Sequence, residues 1–277
     1  LNNDSIHTID PADLLHKLPP FYLASKEVFY YGPVSHDQLV NVLPRGLPIP
    51  QLLAQQKKQF HRIDSPKENE IYFLDFEMKQ AEILLMHNSQ TFSKEIQPVI
   101  ALFNEYYGGG MSSIVFQEIR EKKALAYSVY AGYTGVKKAA DPHYVLAYIG
   151  TQADKYEESM EAMLDILNNK LPYDSLKFEQ AKAGILQKYA SDRIAEHAMI
   201  SHYRQDKKLG YDYDKRKDVY DQINKLTFTD IESFFNEFVR GSKYRIAILG
   251  DSKAIDVKKL SKYGKVKQVN FSHIFPY

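Results

Sequence analysis

The groups in this 277-residue chain that could do chemistry are nine histidines, a run of three glycines, and an arginine followed seven positions later by a tyrosine. Catalytic zinc on a helix needs two His one turn apart, as H-E-x-x-H or H-x-x-E-H, with the Glu as base. His197 and His202 are five apart, so they do not stack, and Glu196 precedes them in neither pattern. His36, His61, His87, His143 and His273 are scattered, and each reads as a surface or capping group. No metal-ligand set is therefore predicted. Cysteine is absent and there is no G-x-S-x-G elbow, which removes thiol and elbow-type serine nucleophiles. Gly108 to Gly110 precede a helix, as phosphate loops do, but the Lys of GxxxxGK[ST] is missing and a helix, not a strand, comes before them. They read as the end of one helix running straight into the start of the next. Arg120 and Tyr127 remain. Their spacing alone leaves two readings open: Arg120 can pair with Glu118 or Glu121, and Tyr127 can be a core tyrosine at a strand start.

The elements that position this pair follow from periodicity. Ser112 and Ser113 can cap a helix in which Met111, Ile114, Val115 and Ile119 share a buried face, with Arg120 off that stripe. After Glu121-Lys122-Lys123 the pattern switches to period two at Tyr127, Val129, Ala131 and Tyr133, a strand. Upstream, strands are predicted over 71–76 and 81–87, then a helix over 94–107 capped by Ser93. Downstream, a strand over 143–151 pairs with 127–135 across the loop VKKAADP. Helices follow over 154–169, from Asp174 to about Ile194, over 196–209 and over 214–224. One more is opened by Thr229 and Asp230. Strands at 244–249 and from Val266 to Phe271 close the chain. Before residue 70 the sequence predicts a short helix from Ala12 to Lys17 behind Asp10, and a strand over 27–33. A helix from His36 to Leu43 capped by Ser35 comes next, then a Pro-punctuated stretch containing a polar helix over 51–59. VFYYGPVSHDQL and YRIAILGDSKAIDVKKL share one plan of strand, Gly turn and helix. The expected organisation is thus a remnant of a preceding repeat domain over 1–45, a linker over 46–69, and a complete domain over 70–277. The chain opens on Leu1 and reads as a piece cut from something longer.

Composition bounds the function. The 36 basic and 35 acidic residues leave a net charge of +1, so no field favours nucleic acid or an anionic membrane. No stretch is long and apolar enough to span a bilayer. A periplasmic and a cytoplasmic location both fit. The 21 tyrosines with no tryptophan suggest surfaces that contact other polypeptide.

The stretch from Leu102 to Tyr130, with its glycine run, paired serines and FQEIREKKALAYSV, resembles the C-terminal half of pitrilysin/insulinase-type metallopeptidases, the inverzincins. Gln80-Ala81-Glu82-Ile83, Glu179-Gln180-Ala181-Lys182 and Ile248-Leu249-Gly250-Asp251 extend the likeness along most of the chain. The resemblance implies an α+β fold, a two-layer α/β sandwich with helices packed on a mostly antiparallel sheet. It implies that Arg120 and Tyr127 are the substrate-binding pair, with Arg120 holding backbone carbonyls and Tyr127 donating near the scissile carbonyl. The family's H-x-x-E-H is missing. The resemblance therefore implies no cofactor in this chain, zinc supplied by an N-terminal half or a separate subunit, a peptide substrate, and no activity for this chain alone. The alternative is a non-catalytic partner subunit or a degenerate docking module.

Overall fold

A computed structural model of the chain describes residues 7–16, 27–46 and 64–274. The chain divides into two compact units. One comprises Leu1–Ile63, Ile194–Ser201 and Phe275–Tyr277; the other comprises Asp64–Arg193 and His202–Ile274.

The second unit is built on a six-stranded sheet. Its strands are β1 (Glu70–Asp75), β2 (Gln80–Thr91), β3 (Ser128–Tyr133), β4 (Pro142–Gln152), β5 (Arg245–Gly250) and β6 (Lys265–Val269), in the spatial order β3-β4-β2-β5-β1-β6. Three of the five neighbouring pairs are antiparallel, and β1 runs parallel to both β5 and β6. The alternation in sequence becomes the two faces of the sheet, because successive side chains of a strand point opposite ways. Ile71, Phe73, Ala81, Ile83, Leu85, Val129, Ala131, Val145, Ala147, Ile149, Ile246 and Ile248 are buried in a single core cluster.

Helices close that face. In this unit α3 (Gln97–Tyr107) contributes Ile100, Phe103, Tyr106 and Tyr107; α4 (Tyr156–Asn168) contributes Met160, Met163 and Leu167; α5 (Ser175–Ser191) contributes Phe178, Ala181 and Ile185. After α6 (Glu196–Lys208) and α7 (Arg216–Ile223), α8 (Phe228–Phe238) adds Ile231, Phe234 and Phe235. The rings interlock: Phe103 stacks on Tyr107 at 4.9 Å and meets Phe234 at 5.1 Å. A buried phenol needs a partner. Tyr106 donates to Pro172 O at 2.7 Å and Tyr107 to Ile166 O at 2.9 Å, and burial pushes the Tyr106 phenol up to about 12. Asp174 caps its helix as expected, accepting from the Lys177 N–H, but the helix expected to be opened by Thr229 and Asp230 starts at Phe228, behind a capping box of Thr227 and Asp230.

In the first unit, α1 (Pro11–His16) starts where Asp10 accepts from the Ala12 N–H at 2.9 Å. The next helix, α2 (His36–Gly46), is opened by Ser35 and Gln38, each accepting from the other's backbone N–H.

The mixed α/β sandwich matches the expected fold class, with local corrections. Helix α3 begins at Gln97, not Lys94, because Pro98 sets the first turn, and the Ser93 hydroxyl turns to the Glu95 carboxylate. The strand expected over 27–33 does not form; residues 27–31 are irregular and pair with no strand among the described residues. The helix expected after Gly250-Asp251 is reduced to turns and a 3₁₀ segment, Lys259–Lys262. The Asp251 side chain accepts from the Lys253 N–H, and Asp256 restarts the turn two residues before Lys258. The two copies of the strand–turn–helix plan therefore do not fold alike. The long helix stops at Ser191, short of Ile194. The polar helix expected over 51–59 lies outside the described residues.

Candidate functional site

The site region lies wholly in the second unit and begins at the glycine run. Gly108 and Gly109 both donate to Asn104 O, at 3.2 and 2.8 Å, and end α3. The helix-end reading of the glycines is the one realised. A Cβ on Gly108 would stand 1.8 Å from Ala131 O, so only glycine lets α3 press against the β3 backbone. One turn earlier, the Asn104 side chain donates to Tyr133 O at 2.8 Å and accepts from the Tyr133 N–H at 2.7 Å. β3 is an edge strand, and Asn104 substitutes for the missing neighbour at its last residue.

The helix after the glycines is not an ordinary α-helix. Residues Phe116–Lys122 form a π-helix, a rare geometry that frequently occurs at functional sites. Ile114, Val115 and Ile119 are buried as the stripe predicts, but Met111 is 76% exposed and lies in the turn before it. Ser113 does not cap this helix with its side chain: its hydroxyl is buried and makes no hydrogen bond. Two residues past the end of the π-helix, Ala124 takes a left-handed φ of 51°. Its N–H donates to Arg120 O at 3.1 Å, while the Leu125 N–H reaches back to Ile119 O at 3.1 Å. That closure resembles the wound-back end of many helices, with alanine where glycine is usual.

The turn is then pinned from below. Leu125 O accepts from Thr151 Oγ1 at 2.6 Å and from Ser159 Oγ at 3.2 Å, and Ser159 Oγ also donates to Thr151 at 2.9 Å. Both residues are buried. The Tyr127 N–H donates to Gly150 O at 2.8 Å, which aligns it with β4 just before β3 starts. Tyr127 shares the parity of Val129 and Ala131, yet it is 52% exposed because it stands beyond the end of the covered sheet. A core tyrosine is excluded. Gln152 Nε2 donates to its phenol oxygen at 2.8 Å.

Arg120 is also exposed. Glu118, one of its two candidate partners, is held by Lys122 at 2.5 Å. Glu121 lies 3.9 Å from Arg120 Nε, a loose surface contact. The guanidinium carbon sits 4.8 Å from the Phe116 ring centroid, a cation–π contact that orients it. The structure thus carries Arg120 and Tyr127 on two adjoining segments joined by one anchored turn, with neither side chain committed to the core.

The histidines behave as scattered groups. His87 bonds Lys243 O at 2.8 Å and His143 bonds Thr134 O at 2.5 Å; His197 and His202 are exposed. Among the described residues no group of three or more His, Cys, Asp or Glu is arranged to hold a metal ion. Sequence reasoning missed Asn104, Thr151, Ser159 and Gln152. Asn104 alone left a signal, as a polar residue four positions after Ile100 on an otherwise apolar helix stripe.

The model of the peptidase M16 inactive domain matches residues 24–185, and the chain belongs to that family. A zinc protease of Streptomyces coelicolor is 33% identical over 91 residues, which are 33% of this chain and 19% of that protein. The solved peptidase M16 inactive domain of Pseudomonas fluorescens superposes with a TM-score of 0.63 at 17% identity, over 79% of this chain and 52% of its own. Pitrilysin superposes at 0.58 with 14% identity, over 87% of this chain and 26% of its own. The matches thus span about a fifth of the zinc protease and about half of the inactive-domain structure.

Proposed function

We propose that this chain is the C-terminal, non-zinc portion of a zinc-dependent endopeptidase. In this reading it closes a chamber over a peptide and contacts that peptide through Arg120 and Tyr127. The observation that carries the reading is the pair itself: two long donors, both exposed, set on backbone that buried hydrogen bonds hold in place. Gln152 donates to the phenol oxygen, so the Tyr127 O–H is left to donate outward, toward a peptide carbonyl oxygen on which charge develops. The planar fork of Arg120 suits backbone carbonyls. The zinc and the general base belong to an N-terminal half or partner subunit, which the zinc proteases among the relatives support. In the same reading residues 70–277 are the complete domain, 46–69 a linker, and 1–45 the end of a preceding repeat.

Steady-state kinetics on the assembly with its zinc-bearing half test this. Tyr127→Phe keeps the ring and removes only the donor, so kcat falls on the order of 10²–10³ with KM little changed. Arg120→Lys keeps the charge without the fork, and mainly raises KM. Full kcat in a Tyr127→Phe variant with an unchanged melting curve would leave Tyr127 as a surface residue, and a docking module would then be the better reading.

A further inference from the structure

Beside Tyr127 the outward face of the sheet holds a small oxygen-lined niche. It is made by a missing side chain. Gly150 of β4 lies between Glu82 of β2 and Ser128 of β3 in the sheet register. A Cβ placed on Gly150 would meet Tyr148 Oη at 2.9 Å, Glu82 Oε2 at 3.1 Å and Ser128 Oγ at 3.1 Å. Three oxygens from three strands therefore converge over one glycine. The Tyr148 phenol donates to the Glu82 carboxylate, and Ser128 Oγ lies 3.4 Å from the same phenol. Burial and the hydrogen bond to the Glu82 carboxylate both raise the Tyr148 pKa, so the phenol keeps its proton. Tyr130 stacks on Tyr148 at 5.2 Å and walls one side with π surface.

No Lys, Arg or His forms an ion pair with Glu82 among the described residues. The half-buried Glu82 carboxylate has a hydroxyl donor and, among the described residues, no cation beside it. The donors it lacks are those of an ammonium, which has three N–H groups, no acceptor, and an affinity for aromatic faces. The niche is tied to the candidate site by covalent neighbours: Gly150 O receives the Tyr127 N–H, and Gln152, two residues on, holds the Tyr127 hydroxyl.

We propose that the niche over Gly150, formed by Glu82, Ser128 and Tyr148, is a subsite that receives a lysine side chain of the peptide bound at Arg120 and Tyr127. The proposal rests on the peptide-binding reading above and adds a specificity to it. Glu82 neutralises the ammonium, Ser128 and Tyr148 accept its remaining N–H groups, and Tyr130 covers the methylene stem.

The test is an NMR titration of the ¹⁵N-labelled chain with neutral decapeptides in which one lysine is moved along the sequence, each matched by a peptide with norleucine in its place. In one register the lysine peptide shifts the Gly150 and Ser128 amides. It binds roughly tenfold more tightly than its norleucine match, the lower end for a hydrogen bond to a charged group. Glu82→Gln retains the shape and the Tyr148 contact; it removes the preference and leaves the norleucine affinity unchanged. Gly150→Ala brings a Cβ within 2.9–3.1 Å of the three oxygens, displaces them and also removes the preference. Equal binding of lysine and norleucine peptides in every register, with the Tyr127 amide still shifting, overturns the subsite and leaves the peptide-binding reading intact. A preference that survives Glu82→Gln also overturns it. If no peptide shifts any amide, both readings fall.

Discussion

Replacing Asn104 with alanine should cost the second unit about 2–3 kcal/mol. The carboxamide makes two bonds to one residue of an edge strand, donating to Tyr133 O at 2.8 Å and accepting from its N–H at 2.7 Å. Both partners are partly buried, since Tyr133 is 1% exposed and packs on His143 and Phe234. Alanine leaves a donor and an acceptor without partners, and a buried unsatisfied group costs about 1–3 kcal/mol. Entering water recovers part of this at the strand's outer side, which sets the figure near the lower half of the sum. For a unit of about 200 residues each kcal/mol is worth roughly 2–4 °C, so the melting temperature should fall by roughly 4–12 °C. Asn104→Asp should be no better. It keeps an acceptor for the Tyr133 N–H but points an oxygen at Tyr133 O. Thermal melts and amide exchange at Tyr133 read both effects. If Tyr133 stays protected and the melting temperature moves by less than about 1 °C, then Asn104 does not hold β3, and the account of how this edge is kept would be wrong.

Three further outcomes follow from the same geometry. Gly108→Ala should destabilise by at least about 3 kcal/mol, because its Cβ would sit 1.8 Å from backbone that cannot swing away; denaturant unfolding measures it, and a near-neutral result would mean α3 slides freely along β3. Thr151→Val should cost about 1–2 kcal/mol by removing one of the two hydroxyls on Leu125 O, and should weaken peptide binding as the turn before Tyr127 loosens; unchanged binding in a folded variant would detach the turn from the site. Burial holds the His143 pKa below its ordinary 6.5 while its ring bonds Thr134 O. Only the unfolded chain then takes up a proton near 6.5, so this stability is complete above that pH and is lost as pH falls below it. Melts from pH 7.5 to 5.5 should show the decline, and His143→Gln should flatten it; an identical slope in the variant would assign the decline to another group.

Much of this was legible from residues in line. The period-two runs at Ile71, Ala81, Val129, Val145 and Ile246 each became a strand, because alternation specifies a half-covered sheet wherever it occurs. Asp174 and Ser35 mark helix starts through hydrogen bonds that span only three residues; the last helix instead opens at Thr227, two residues before the expected Thr229. What failed was what depends on a distant neighbour. The run over 27–33 has strand composition, but a strand exists only where another pairs with it. Met111 fits the apolar stripe of the helix that follows, yet the turn leaves it in solvent.

The candidate site divides along the same line. By itself the sequence carried the family likeness, the missing H-x-x-E-H motif, and, through that likeness, the proposal of Arg120 and Tyr127. Only the tertiary structure decided that Tyr127 faces solvent while Val129 and Ala131 face the core. Parity treats the three alike, and the covered sheet happens to end between them. It also decided that Thr151 of β4 and Ser159 of α4 hold the turn at Leu125, that Asn104 of α3 holds the far end of β3, and that three oxygens meet over Gly150. Those groups lie far apart along the chain, and a contact made by strand register and helix packing leaves no mark on local spacing.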